Sequence, residues 1–390
     1  MSELKVLPEE QTLTRVADRD AFLAAFNEDE VGRSLVLQAP EKMDGSNFHD
    51  AIAGGTPPAW IDRSGGRLRY ATTLYRAKSV VFAPEFGAIA NRSGAVFRCS
   101  VDEALYISPT LAKLPFASLG VDGVVELDTA APGPGIPRGC AFMAWGGNSN
   151  YGHFLIDCLT TLLVEKELGL LSEYPAMMPS HLSQWHRDLI RLTVGDVPVV
   201  VIDSPIVYVD DIVFGNPMAH FLHAPNALIK RLGTTIVNNC PSKSPLFGCR
   251  IYLSRRGNPK REMLNEADIE AALLARGFDI VHPESLPVED QILAISQAEI
   301  IVGAAGAAFA NCLFASPKTV VVEIQPINFT GIWVRNICDE LDLIWSPFFC
   351  QSPIDERQLI IEGVPRHGGG FSYVLPPEDF LAHLDSFLKG

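Results

Sequence analysis

The chain has no run of eighteen or more apolar residues, so no membrane-spanning helix is expected. It is short of positive charge: 31 Lys and Arg stand against 46 Asp and Glu, a net charge of −15. A chain of that balance lacks the cationic face that displaces counterions from nucleic acid, and the polybasic patch of a membrane-surface protein. Small anionic ligands stay open, because a few local Arg residues override the net charge. Residues up to Asp20 lack the basic-then-apolar layout of a signal peptide, and a cytoplasmic location is expected. The eight Cys residues are scattered, with no Cys-x-x-Cys pair and no Cys or His cluster. That pattern argues for buried free thiols in a reducing compartment and against a zinc site. No Gly-x-Ser-x-Gly elbow and no Walker lysine loop occurs. Asp18-Arg19-Asp20 reads as helix-start chemistry, and Asp210-Asp211 sits in a strand pattern, so no metal centre and no bound cofactor are expected.

What is present is a globular composition, 47% apolar and 20% charged, in 390 residues, enough for two α/β domains. Short β-rich runs separated by Gly and Asn-Arg-Ser punctuation fill residues 65–130. The Pro/Gly segment Ala131 to Pro137 reads as a loop or crossing point. A strand ending at Trp145 precedes a helical pattern from Gly152 to Leu168, then strands near Val197 to Ile202 and Val207 to Phe214 and a helix near Asn226 to Val237. Asn238 to Pro245 is the best linker. After it, strands and helices alternate from Cys249 to Ile324, with near-continuous Ile and Val strands, as in a parallel sheet covered on both faces. The expected division is an N-terminal domain over 1–240, a C-terminal α/β domain over 246–345 and a tail over 346–390 that packs back on the domains.

Two segments can carry chemistry. In the first, a buried strand from Glu299 ends in a Gly-rich turn, Gly303-Ala304-Ala305-Gly306-Ala307, that opens a helix. Free N–H groups at such a start suit a diphosphate. The alternative is that small residues only let strand and helix pack closely. Glu323, at the expected end of the next strand, is placed to accept hydrogen bonds from ribose hydroxyls, or is a surface carboxylate. Arg255 or Arg256, with Arg261, follows the first strand of this half and can neutralise phosphate oxygens, or is simply solvated. Asn265-x-x-Asp268 reads as a helix N-cap with an acidic first turn. A nicotinamide-dependent oxidoreductase is the rival, but Gly-x-x-Gly is not Gly-x-Gly-x-x-Gly, and the turn comes late in its domain. In the second segment, Asn148-Ser149-Asn150-Tyr151-Gly152-His153 leads to Asp157. His153 and Asp157, four apart on one helix face, form either a satisfied structural pair or a base able to take a proton from a hydroxyl.

Together these features resemble glycosyltransferase family 61. The first signature is matched by Asn150, His153, Phe154 and Asp157. The second is matched by Ser254-Arg255, Arg261, Asn265-Glu266, Gly277-Phe278, Asp290-Gln291, Gly303-x-x-Gly306-Ala307, Asn311 and Glu323, the whole spanning roughly residues 65–330. The chain departs from the pattern at Ala305, where many members have His, so that residue's role is absent or taken elsewhere; a non-catalytic subunit is the corresponding alternative. Lacking the anchor common in animal and plant members, the chain looks like a bacterial-type, cytoplasmic one. The resemblance implies a GT-B-like fold, two Rossmann-like domains facing a cleft, and an inverting, metal-independent transfer from a nucleotide sugar, UDP-linked, to a glycan acceptor in capsule, exopolysaccharide or other surface-glycan synthesis. It implies His153 and Asp157 as catalytic residues. Arg255, Arg261, Gly303, Gly306, Ala307, Asn311 and Glu323 would then be donor ligands, with Asn148 and Asn150 on the acceptor side.

Overall fold

The computed structural model of the chain describes residues 3–4, 6–7, 13–44, 53–56, 67–69, 71–100, 117–119, 124–127, 133–144, 146–215, 226–241, 244–327, 329, 331–351, 360–361, 364–365 and 371–388. The fold is mixed α/β. It divides into two compact units, residues 1–42 with 68–228 and residues 43–67 with 229–390. The boundary thus falls before residue 240, because the helix Leu228–Asn239 groups with the second unit from Ile229 onward, and Ile229, Leu232 and Ile236 are fully buried. Trp145 and parts of the expected linker and tail lie outside the described residues.

In the first unit, strands Val199–Ile202, Ala176–Pro179, Gly133–Ala141 and Val207–Gly215 lie side by side in that order, all parallel. Counted along the chain the order is 3-2-1-4, that of half a dinucleotide-type sheet. The long strand Thr72–Ala83 joins antiparallel to Val207–Gly215, and Gly32–Gln38 and Ala88–Ala90 pair with it in turn. The Pro/Gly segment is therefore strand from Gly133 onward rather than loop. Pro134 and Pro137 sit where only Val207–Gly215 runs alongside, and the second neighbour joins at Cys140. A residue without an N–H is tolerated on such an unpaired side. The strand Ala176–Pro179 and the helix Gln184–Val194 have no counterpart in the sequence reading. Ala-Met-Met-Pro lacks β-branched residues, and packing against its neighbours, not propensity, makes it a strand. The helical pattern after Gly152 has three parts: Tyr151–His153 is α, Phe154–Cys158 is π, and Leu159–Glu167 is α again. Every side chain from Phe154 to Glu165 is buried, as in a helix enclosed on all sides.

The second unit is a doubly wound sheet. Its strands run Asp279–Val281, Arg250–Leu253, Ile300–Ala304, Val320–Pro326, Ile344–Cys350 and Gly54–Gly55, all parallel. Among its five main strands the order is 2-1-3-4-5 along the chain, so the winding reverses between Arg250–Leu253 and Ile300–Ala304. Helix Glu266–Leu274 ends at Gly277 in a Schellman arrangement: Phe278 N–H donates to Leu273 at 3.1 Å and Gly277 N–H to Leu274 at 3.0 Å. Tyr252, Val302, Val322 and Ile324 point to one face of the sheet, against Ile269 and Leu273 and against Phe380 and Leu384 of the C-terminal helix Pro377–Leu388. The tail is thus part of this core. Leu384→Ala is expected to lower unfolding free energy by about 2–5 kcal/mol, because the cavity adds to the lost burial; urea denaturation measures it, and a change under about 0.5 kcal/mol would place the helix outside the core.

Candidate active site

Adjacent parallel strands deliver their following loops side by side. Leu253 pairs with Gly303, so the Ser254-Arg255 turn and the Ala305-Gly306 turn emerge together at the carboxyl ends of the sheet, where its winding reverses. Open α/β sheets gather ligands at that point. The contact is close: a terminal nitrogen of Arg255 lies where a side chain on Gly306 would begin, so any larger residue there would displace the guanidinium. The same side chain donates to the Lys260 carbonyl at 3.0 Å. Arg256 is differently employed. It pairs with Glu270 at 3.1 Å, and Glu270 also accepts from Ser254 Oγ at 2.6 Å. Arg255 is therefore the residue of the pair that faces the turn. Its own N–H donates to Glu266 at 2.8 Å, and Tyr252 donates to the same oxygen at 2.8 Å. Arg261 closes the loop in a left-handed conformation, φ 54°, uncommon for a non-glycine residue, with its guanidinium 4.0 Å from the Phe329 ring centre. After Gly306 the chain enters a 3₁₀ helix, Ala307–Phe314, and the N–H groups of Gly306, Ala307 and Ala308 have no backbone acceptor among the described residues.

In the first unit, Asn150 caps the helix start, its side-chain oxygen accepting from the N–H of Gly152 at 2.9 Å and of His153 at 3.3 Å. Four residues on, Asp157 is 1% exposed and lies 2.7 Å from His153 Nδ1. A carboxylate there holds the Nδ1 proton and leaves Nε2 as the basic nitrogen. Burial disfavours the imidazolium and the Asp157 carboxylate favours it; the carboxylate prevails, and the His153 pKa is raised above 6.5. Gly146, φ 83°, passes close enough that a Cβ would lie 3.2 Å from the imidazole. The π turn Phe154–Cys158 widens the helix at this point, a feature frequent at functional sites. Thr161 Oγ1 takes up the Asp157 carbonyl at 3.3 Å.

Residues 151–322 match the family model described as Glycosyltransferase 61. The chain is a glycosyltransferase. No curated protein matches it. The matched block of the glycosyltransferase takes in His153, Asp157, Arg255, Arg261, Gly303, Gly306, Ala307 and Asn311, and ends one residue before Glu323.

Within each unit the structure sorts the expected site residues. Arg255, Gly306 and Ala307 come together at one end of the second sheet, with Arg261 at the close of the Arg255 loop. His153 and Asp157 are bonded in the first unit. Gly303 lies within its strand, and its missing side chain makes room for Leu253 and Phe309, so close packing explains it. Asn311 is 1% exposed and donates to Gln291 at 3.2 Å, tying the 3₁₀ helix to helix Val288–Ser296 rather than facing a ligand. Asn150 caps, and Asn148 donates to Glu85 at 2.7 Å, so both shape the His153 loop. Asn265 makes no side-chain cap; it pairs instead with the backbone of Leu375 in both directions. Ala305 is buried, its N–H on the Ile324 carbonyl at 2.9 Å. The Gly turn follows the third strand of its sheet, not the first as in a dinucleotide fold. Sequence reasoning missed Phe329 and Tyr373, which stand far from Arg261 in the chain and carry no motif.

Glu323 needs the largest correction. The strand continues to Pro326, and Glu323 is 1% exposed in its middle, not at its end. It accepts from Trp345 Nε1 at 2.9 Å and Gln325 Nε2 at 2.8 Å. Burial outweighs these two donors and lifts its pKa to about 7. The folded protein thus holds this proton more tightly than the unfolded chain. The associated stability is present below pH 4.5 and is lost as pH rises through about 7. Glu323→Gln is expected to gain stability over wild type by about 3 kcal/mol at pH 8 and by under about 1 kcal/mol at pH 5. Thermal unfolding at the two pH values checks this; a pH-independent difference would contradict it.

Proposed function

We propose that this glycosyltransferase transfers with inversion, moving a sugar from a nucleoside-diphosphate donor, a UDP-sugar, to a hydroxyl of a glycan acceptor. The supporting observation is the meeting of Arg255 with the Gly306 turn at the switch point of the second sheet. The two units, each built around parallel strands, would form a GT-B pair with the donor on the second. Synthesis of a capsule, exopolysaccharide or other surface glycan in the cytoplasm is the process that this reading assigns.

In the reaction, the acceptor oxygen attacks the anomeric carbon from the face opposite the diphosphate. The new carbon–oxygen bond forms as the old one breaks, and the diphosphate leaves with the bonding electrons. Arg255, Arg261 and the N–H groups of Gly306 and Ala307 stabilise the charge that builds on its oxygens. His153 Nε2 takes the hydroxyl proton, while Asp157 holds Nδ1–H and offsets the charge gained by the ring. Glu323 has no part in holding ribose. No metal ion is assigned a step, since guanidinium groups and main-chain amides supply the positive charge.

Isothermal calorimetry with UDP tests the donor site. Arg255→Ala is expected to weaken UDP by roughly tenfold to a hundredfold, the worth of hydrogen bonds to a charged group. Undiminished binding removes Arg255 from the site. For the base, His153→Ala should cut transfer by about 10²–10⁴-fold and leave UDP affinity unchanged; activity within a few-fold of wild type would eliminate it.

The pH profile offers a separate check. A base must be neutral to act, so kcat/KM should rise with pH through an acid limb above 6.5, where the raised pKa of His153 places it. Asp157→Asn removes what opposes burial, so the limb should move below 6.5 while the plateau falls. An unmoved limb would mean that another group titrates.

A further inference from the structure

The C-terminal segment beyond the matched block is built into the Arg255–Arg261 loop. Ser372 and Tyr373 pair in parallel register with Glu262 and Met263, the residues directly after Arg261. Glu262 N–H donates to Phe371 at 3.2 Å and Leu264 N–H to Tyr373 at 2.9 Å. Asn265 then fixes Leu375 from both sides, at 2.8 and 3.0 Å. The loop that carries the two arginines is thus tied at its far end to residues 371–375.

The Tyr373 hydroxyl and Arg255 Nε are among the buried polar groups with no hydrogen-bond partner among the described residues. Tyr373 is 1% exposed. The two are complementary: Nε–H is a donor, and the hydroxyl oxygen is an acceptor. The strand pairing sets Tyr373 opposite Met263, two residues after Arg261, and the phenol is within electrostatic reach of the Glu266 carboxyl and of the Arg255 and Arg261 guanidinium groups. A buried donor and a buried acceptor left unpaired each carry a desolvation cost, which a bond between them would remove. Arg255 has a partner for one terminal nitrogen, the Lys260 carbonyl, and the other lies against Gly306. The nearby Glu266 oxygen Oε1 already accepts from the Arg255 main chain and from Tyr252.

We infer that Tyr373 is a positioning residue for Arg255, its hydroxyl accepting Nε–H as the guanidinium closes on the donor diphosphate. Held from behind at Nε, the guanidinium keeps for phosphate oxygens the terminal N–H groups that the Lys260 carbonyl does not take, and its plane is fixed. This rests on the reading of Arg255 as a diphosphate ligand. The donor site accordingly extends about fifty residues past the end of the matched block, which closes at 322.

Calorimetric titration of UDP and inorganic pyrophosphate into wild type, Tyr373→Phe, Arg255→Ala and the double variant tests it, with thermal unfolding alongside. Tyr373→Phe is expected to weaken both ligands by about tenfold, while the melting temperature stays level or rises because an unpaired buried hydroxyl is gone. In the Arg255→Ala background the tyrosine change should have no further effect, since the group it positions is missing. Wild-type affinity in Tyr373→Phe, effects that add in the double variant, or a loss of binding that tracks a fall in melting temperature would each overturn the inference and leave Arg255 in place. Failure of wild type to bind either ligand would overturn both.

Discussion

The contact between Arg255 and Gly306 is the constraint on which the donor site proposed for the second unit depends. Gly306 has φ 173°, an extended conformation open to any residue, so the backbone does not demand glycine. Instead, the Arg255 guanidinium occupies the position a side chain would take, and a larger residue would push it away. Two loops more than forty residues apart in sequence are brought together by the pairing of Leu253 with Gly303. A register slip of one residue would turn Arg255 to the other face of the sheet and dissolve the contact.

Around that contact, charge is divided by role. Glu270 takes Arg256 and Ser254, while Glu266 takes main-chain Arg255 N–H and the Tyr252 hydroxyl. Both acids are buried under the strand end and hold the loop through neutral or already paired groups. Among the described residues no carboxylate pairs with the Arg255 guanidinium, as the proposed role in holding a diphosphate requires. A protein of net charge −15 can thus present local positive charge to an anion.

The parallel sheet of the second unit was legible from its Ile and Val runs and alternating helices, because strands buried on both faces must read as continuous apolar runs. Gly277 was legible as a helix end for a similar reason, since a left-handed residue there is chemically specific. Glu323 was misread because a carboxylate in an apolar strand looks like a strand end. Its two donors, Gln325 and Trp345, become visible only when the neighbouring strand is placed beside it. Asn311 and Asn150 were read as ligands because sequence gives residue type without direction; one points to Gln291 and the other to its own helix start. The strand Ala176–Pro179 has no local signature, and Pro134 and Pro137 argued against a strand whose one-sided pairing the sequence does not display.

The two sites of this glycosyltransferase solve opposite problems with similar means. At His153, the proposed base, a proton would be taken up, and a buried carboxylate 2.7 Å from the ring outweighs the cost of burial. At Arg255, the proposed diphosphate ligand, positive charge would have to stay available, and the carboxylates are turned to the main chain and to Arg256 instead. In both places the acid lies in the interior and the working group is only partly covered: the His153 side chain is 20% exposed against 1% for Asp157. Burying the acid fixes its geometry and strengthens its field, while the outward position of its partner keeps the reacting atom within reach of substrate. A surface carboxylate would be screened by solvent and would orient its partner weakly. The enclosed π turn beneath His153 and the buried start of helix Glu266–Leu274 beneath Arg255 are therefore parts of the proposed chemistry, although on that proposal neither touches what is transferred.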